Sequence, residues 1–280
     1  MSDVDSSLIA AALDALGVDD DRELRGGAQK AVRLVRRNDD LLVLKVIPVG
    51  VSTPDALRRA EREVDLLVSL DNSHVVRVVS ELAELGEPVR GAAWLEEYLD
   101  GEDLAALLFI RQWSWKDTAC LGLHVALGLA SAHAKSVVHR DLSANNVRRL
   151  SDGTYKVMDF GFARHTLRSG LTIAGQPGTR RYASPEHLHS YSGAPTAASD
   201  VFAVGILMYA ALTGAVPIDY YGDDADYFRR LRDVEFVDVA KIRGDLTPEQ
   251  YALLRRCLHR QPARRYLNGG RLAEALEELQ

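Results

Sequence analysis

The chain has 280 residues, of which 47% are hydrophobic and 26% charged, and its net charge is −6. This balance is too apolar for a disordered chain, shows no fibrous period in its 21 Gly and 9 Pro, and argues against a broad basic face for nucleic acid. Its two cysteines, Cys120 and Cys257, are too few for a disulfide framework or a cysteine zinc site, so two free thiols in a reducing compartment are expected.

Asp3 and Asp5 follow Met1, where a secretory leader would be basic and then apolar, so no leader is expected and the cytoplasm is the expected location. Residues 1–24 form an acidic segment with a short helical pattern over 7–16. Residues 31–37 and 41–47 are rich in Val and Leu and flank Asn38-Asp39-Asp40, which predicts a hairpin. Thr53-Pro54 is a helix start, and Leu57, Val64, Leu67, Val68 and Leu70 give an apolar stripe, so a helix is predicted over 54–70. Residues 75–99 return to strand-like runs with a turn at Gly86 and Pro88.

After Gly101 the chain turns helical. Ser114 to Asp117 resembles a capping box ahead of a long apolar helix over 115–135. Residues 137–150 and 155–158 read as short strands. Residues 201–218 are nearly all apolar, at the short limit for a membrane span, but they contain Gly205, Thr213, Gly214 and Pro217 between Asp200 and Asp219. A buried helix ending near Gly214 explains them better than a span. Thr247-Pro248-Glu249-Gln250 starts another helix and 270–280 forms the last. The expected class is α+β, with an N-terminal segment 1–24, a β-rich part 25–100 containing one long helix, and a mostly helical part 101–280.

Three motifs carry the chemistry. His139-Arg140-Asp141-Leu142-Ser143-Ala144-Asn145-Asn146 comes first, Asp159-Phe160-Gly161 follows, and Gly178-Thr179-Arg180-Arg181-Tyr182-Ala183-Ser184-Pro185-Glu186 comes last. Each alone is weak, but their order and spacing together are specific. Here the chain resembles the protein kinase family, in its bacterial serine/threonine form. Val43-Leu44-Lys45 matches the family's lysine strand, Glu63 its partner glutamate in the first long helix, and Ser199 to Gly205 with Pro262 to Arg265 its later structural segments. The resemblance runs from about Leu24 to Leu279.

The resemblance implies a bilobal fold and transfer of phosphate from ATP, with Mg²⁺, to serine and threonine hydroxyls of protein substrates. Lys45 would hold the α- and β-phosphates, paired with Glu63. Asp159 and Asn146 are hard oxygen donors suited to Mg²⁺, and Asp141 would act as catalytic base. Gly26, Gly27, Lys30, Val32 and Val43 would border the nucleotide, and the backbone at Glu97 and Leu99 would meet adenine, which places Glu96 at the gatekeeper position. Asp200 would anchor the catalytic loop, and Glu186 with Arg265 would form a buried ion pair. Thr179 would line the acceptor site. Thr166, Ser169 and Thr172 are candidates for autophosphorylation, with Thr172 preferred and Arg140 as the expected receiver of the phosphate. No nucleic acid and no membrane span are expected as partners.

The chain departs from the family pattern in three places. Of the glycine-loop positions only Gly27 holds glycine. Ser143 stands where these kinases usually place a lysine, a cation that Lys30 is expected to replace in part. Arg148 stands where an apolar residue usually lies beneath adenine, its guanidinium expected to reach solvent. These departures favour the alternative of a pseudokinase or scaffold, whereas the intact Lys45, Asp141, Asn146 and Asp159 favour an active enzyme.

Overall fold

The computed structural model describes residues 4–24, 30–50, 55–161, 164–165, 181–188 and 195–279. The chain divides into two compact units, residues 1–71 with 76–100, and residues 72–75 with 101–280.

The first unit opens with helix α1 (Ser6–Leu16), capped by Asp5, whose carboxylate accepts from the Ser7 N–H at 3.1 Å. Strand β1 (Asp19–Glu23) follows, where the sequence predicted none. Its residues are all exposed and show no apolar alternation, so nothing in their pattern marks a strand. Pairing makes it one: β1 runs antiparallel to β2 (Ala31–Arg37), and Arg33 grips both carboxylate oxygens of Asp20 at 2.6 Å. Segment 1–24, set apart by its composition, is thus built into the first unit. The predicted hairpin is formed by β2 and β3 (Asp40–Pro48), with Asn38 in the left-handed region at φ 55°. Helix α2 (Ala56–Ser69) lies within the predicted span, while its expected start at Thr53-Pro54 falls outside the described residues. Strands β4 (Ala83–Leu85) and β5 (Gly91–Glu97) complete a sheet of order β1-β2-β3-β5-β4.

Residues paired across antiparallel strands share a face. One face carries Ala31, Val35, Leu44, Val46, Ala93 and Leu95, and α1 covers it with Leu8 and Ala12. The other carries Val32, Val43, Lys45, Trp94 and Glu96, since Val32 and Trp94 both stand opposite Lys45, and Glu96 opposite Val43. With α1 on one side and α2 on the other, β5 is buried along all but its last residue. Gly91 permits the close approach of α1. A Cβ there would lie 2.6 Å from Leu8 Cδ2 and 2.8 Å from the Ile47 carbonyl oxygen. Gly91→Ala is therefore expected to cost about 1–3 kcal/mol by overpacking, read as a lower urea midpoint at unchanged slope.

The second unit contains β6 (Gly101–Asp103), a short α3 (Leu104–Leu107) and α4 (Trp115–Ala134), whose Ser114 cap accepts from the Asp117 N–H at 3.1 Å. Strands β7 (Val137–Val138), β8 (Val147–Leu150), β9 (Tyr155–Val157) and β10 (Arg164–His165) form a β6-β8-β9 sheet and a β7–β10 pair. The run 137–150 is therefore two strands interrupted by a loop, not one. Helix α5 (Ala197–Thr213) is buried along almost its whole length and stops at Gly214, left-handed at φ 76°. Burial on every side explains its uniform apolarity. Among the described residues, no helix is long and apolar enough to cross a membrane. Helix α6 (Asp224–Asp233) went unpredicted because only Tyr227 and Leu231 are buried within a charged stretch; its Asp223 cap accepts from Ala225 and Asp226. Helices α7 (Pro248–Cys257) and α8 (Gly269–Glu277) close the unit near their predicted starts. Cys120 and Cys257 are free thiols, and burial pushes Cys257 up to about 12. A β-rich first unit and a helical second give the expected α+β class.

Candidate active site

In the first unit the chemistry gathers on the sheet face opposite α1. Lys45 on β3 and Glu63 on α2 are both buried, with side chains 7% and 6% exposed, and Lys45 Nζ lies 3.5 Å from Glu63 Oε1. A closer carboxylate is present: Glu96 Oε1 lies 2.7 Å from Lys45 Nζ, and Glu96 is 4% exposed. Trp94 Nε1 donates to the same Glu96 oxygen at 3.0 Å, and Lys45 Nζ stands 5.7 Å from the Trp94 ring centroid. The sequence placed Glu96 near the hinge but gave no hint that it meets Lys45. The register supplies the reason, since Lys45 faces Trp94 across β3–β5 and Glu96 is two residues farther along the same face.

Val32 and Val43 flank Lys45 on this face, both half-buried. Glu97 turns its side chain to the Arg77 N–H at 2.8 Å and donates its own N–H to the Arg77 carbonyl at 2.9 Å, so that N–H is not the group that would meet a base. Leu99 is buried, and Lys30 is half-buried just before β2. Gly26, Gly27, Thr166, Ser169, Thr172 and Thr179 lie outside the described residues.

In the second unit Asp141, Asn146 and Asp159 sit on one loop system, held by Asp200 in the first turn of α5. Asp200 Oδ2 accepts from the His139 N–H at 2.8 Å, and Oδ1 accepts from the Arg140 N–H at 3.0 Å. His133 Nε2 donates to Oδ2 at 2.9 Å, because its Nδ1 already accepts from the Gly269 N–H at 3.0 Å. Burial pushes the Asp200 carboxyl up, but the His133 hydrogen bond and the facing histidines and backbone amide outweigh it and leave it below the usual carboxylate range. One buried aspartate thereby ties α4, α5 and α8 to the loop, with Arg140 left-handed at φ 68°.

The loop is then fixed from within. The Asp141 N–H donates to His139 Nδ1 at 3.3 Å, and the Asp141 carbonyl accepts from Asn146 Nδ2 at 2.8 Å. His139 Nε2 donates to the Met158 carbonyl at 3.1 Å, and its ring packs against Phe160 in a tilted pair, centroids 4.5 Å apart. The Met158 N–H donates to the Asn146 carbonyl at 2.8 Å, and Asp159 follows in a left-handed turn at φ 61°. Backbone and packing thus hold Asp141, Asn146 and Asp159 together. Ser143 is buried at the start of the Ala144–Asn146 turn. Arg148 departs from expectation. Its guanidinium binds Asp103 at 2.5 Å and the Gly101 carbonyl at 2.7 Å instead of extending into solvent, because β6 and β8 pair Asp103 with Arg148.

These residues fit a bound Mg²⁺ by their donor chemistry. Asn146 Nδ2 donates to the Asp141 carbonyl, which leaves its amide oxygen Oδ1 as the donor atom a cation would take, and Asp159 supplies a carboxylate. Mg²⁺ takes one or two protein oxygens and completes its shell with phosphate and water, which this pair of oxygen donors can serve. Farther off, Glu186 and Arg265 form a buried two-armed pair at 2.6 and 2.9 Å.

A family model of the protein kinase domain matches residues 21–276. The serine/threonine-protein kinase PknL of Mycobacterium tuberculosis H37Rv is 31% identical over 259 residues, covering 91% of this chain and 63% of that protein. The probable serine/threonine-protein kinase pknA2 of Bifidobacterium longum is 30% identical over 80% of this chain and 29% of its own length. The probable serine/threonine-protein kinase PknB of Lactococcus lactis is 30% identical over 67% of this chain and 29% of its own length. The chain therefore spans between about a third and two-thirds of these relatives. A match running from β1 to α8, through both the lysine sheet face and the aspartate-anchored loop, shows that this chain belongs to the protein kinase family.

Proposed function

We propose that this chain transfers the γ-phosphoryl group of ATP to serine and threonine hydroxyls of proteins. The observation that carries the reading is the fixed setting of Asp141, whose backbone is bonded at its N–H by His139 and at its carbonyl by Asn146. A base held this way meets a substrate hydroxyl without reorganising. The acceptor oxygen forms its bond to the γ-phosphorus as the bond to the β–γ bridging oxygen breaks, and Asp141 takes the hydroxyl proton. Lys45 holds the α- and β-phosphates. Asn146 and Asp159 would hold Mg²⁺, which would neutralise charge on the phosphates. Lys30 serves as a supplementary cation in place of the lysine that Ser143 replaces. Thr172 is the preferred autophosphorylation site, the substrates are proteins, and the free thiols support a cytoplasmic location.

The test is intact mass after incubating phosphatase-treated protein with Mg·ATP and a generic serine/threonine substrate. Gains of about 80 Da per phosphate in the wild type, absent in Asp141→Ala, are expected. No gain on either protein would overturn the reading. Transfer that continues at Thr172→Ala, with no mapped site among the three candidates, would overturn the activation-loop assignment alone.

A further inference from the structure

The second carboxylate on Lys45 is not explained by phosphate binding. One buried ammonium lies 3.5 Å from Glu63 and 2.7 Å from Glu96, so two buried acids share one lysine. The closer acid is held in place: Trp94 donates to its Oε1 at 3.0 Å, and it stands on the buried β5 strand. A nucleotide phosphate arriving at Lys45 must draw the ammonium from Glu96 and tolerate that acid's charge nearby. Both effects weaken polyphosphate binding.

Resting on the proposed role of Lys45, we propose that Glu96 is a positioning residue that competes with nucleotide phosphates for Lys45 and so sets a low affinity for ATP. Glu63 does the opposite. It lies farther from the ammonium and steadies it without displacing phosphate, so the two acids have contrary effects on one lysine. The competition is with the charge of the phosphates, not with the base, which gives it a signature of its own.

Calorimetry with ATP, ADP and adenosine on the whole chain reads that signature. Glu96→Gln keeps the side-chain volume and an acceptor for Trp94 while removing the charge. It is expected to tighten ATP and ADP about tenfold, the scale of one like charge removed at a high effective dielectric, and to leave adenosine unchanged. The KM for ATP should fall by the same factor, with kcat changing less than about twofold. Glu63→Gln should weaken ATP. Glu96→Asp, which keeps the charge on a shorter stem, should bind ATP with an affinity between those of wild type and Glu96→Gln, and it provides the test if the glutamine variant fails to fold. An equal shift for all three ligands, or weaker ATP binding in both Glu96 variants, would overturn the proposal by showing that Glu96 only supports the strand. Nucleotide binding absent from wild type and variants alike would overturn it together with the role of Lys45. Charge-selective tightening in a protein that transfers no phosphate would sustain it and overturn only the proposed activity.

Discussion

Replacing Asp141 by alanine is expected to lower the rate of phosphoryl transfer by about 10²–10⁴-fold, the range of a lost general base, while the KM for ATP stays within about threefold. The separation follows from what the residue does in the structure. Its backbone is held by His139 and Asn146, and alanine keeps both of those bonds. Removing Asn146 is different, because its side chain supports the Asp141 carbonyl as well as offering Oδ1. Asn146→Ala should therefore disturb transfer and metal dependence together. Steady-state kinetics with varied ATP and Mg²⁺ separate the two. An Asp141→Ala variant that keeps more than about a tenth of wild-type kcat would remove the base assignment.

Much of this loop was legible in the sequence because its motif residues are contiguous and their spacing is fixed. The hairpin and helices α1, α4, α5, α7 and α8 were legible through their turns and caps, such as Asn38 to Asp40, Ser114 and Thr247. Strand β1 was not, since Asp19 to Glu23 gain their structure only from β2 and from the grip of Arg33 on Asp20. The same limit hid the meeting of Lys45 with Glu96. It depends on which residues of β3 and β5 stand opposite, a register no local pattern prints. Arg148 shows the point again: as a single residue it looked like an intruder in an apolar place, while across β6–β8 it is the partner of Asp103.

The second large effect is on stability. Arg265→Met is expected to cost about 3–5 kcal/mol, the penalty for stranding one member of a buried ion pair. Arg265 and Glu186 are 0% and 1% exposed, and Arg265 also donates to the carbonyls of His259, Ala198 and Arg260. The Ser199 hydroxyl donates to Glu186 Oε1 at 2.7 Å, and the guanidinium lies 4.6 Å from the Phe202 ring centroid. Replacing Glu186 by glutamine as well should recover part of the loss, since no bare charge then remains. Burial pushes the Glu186 carboxyl up, and Arg265 with Ser199 more than offsets this, holding it below 4.5. A depressed folded-state pKa adds stability that is fully present above about 4.5 and is lost as pH falls through the folded value. The stability gap between wild type and Arg265→Met, followed by urea denaturation, should therefore narrow on acidification below that point. A gap independent of pH would show that the arginine acts through packing alone.

Helix α1 on its sheet has a consequence for regulation from outside. Leu8 and Ala12 occupy the very surface that Leu44, Val46 and Leu95 would otherwise offer to another protein. Tethered through Gly17 and the short run to β1, the helix acts as its own chain's ligand, at an effective concentration of about millimolar. A competitor of equal affinity for that surface would need to reach about millimolar concentration merely to break even, so this side of the sheet is closed to weak, transient visitors and is held for the chain itself.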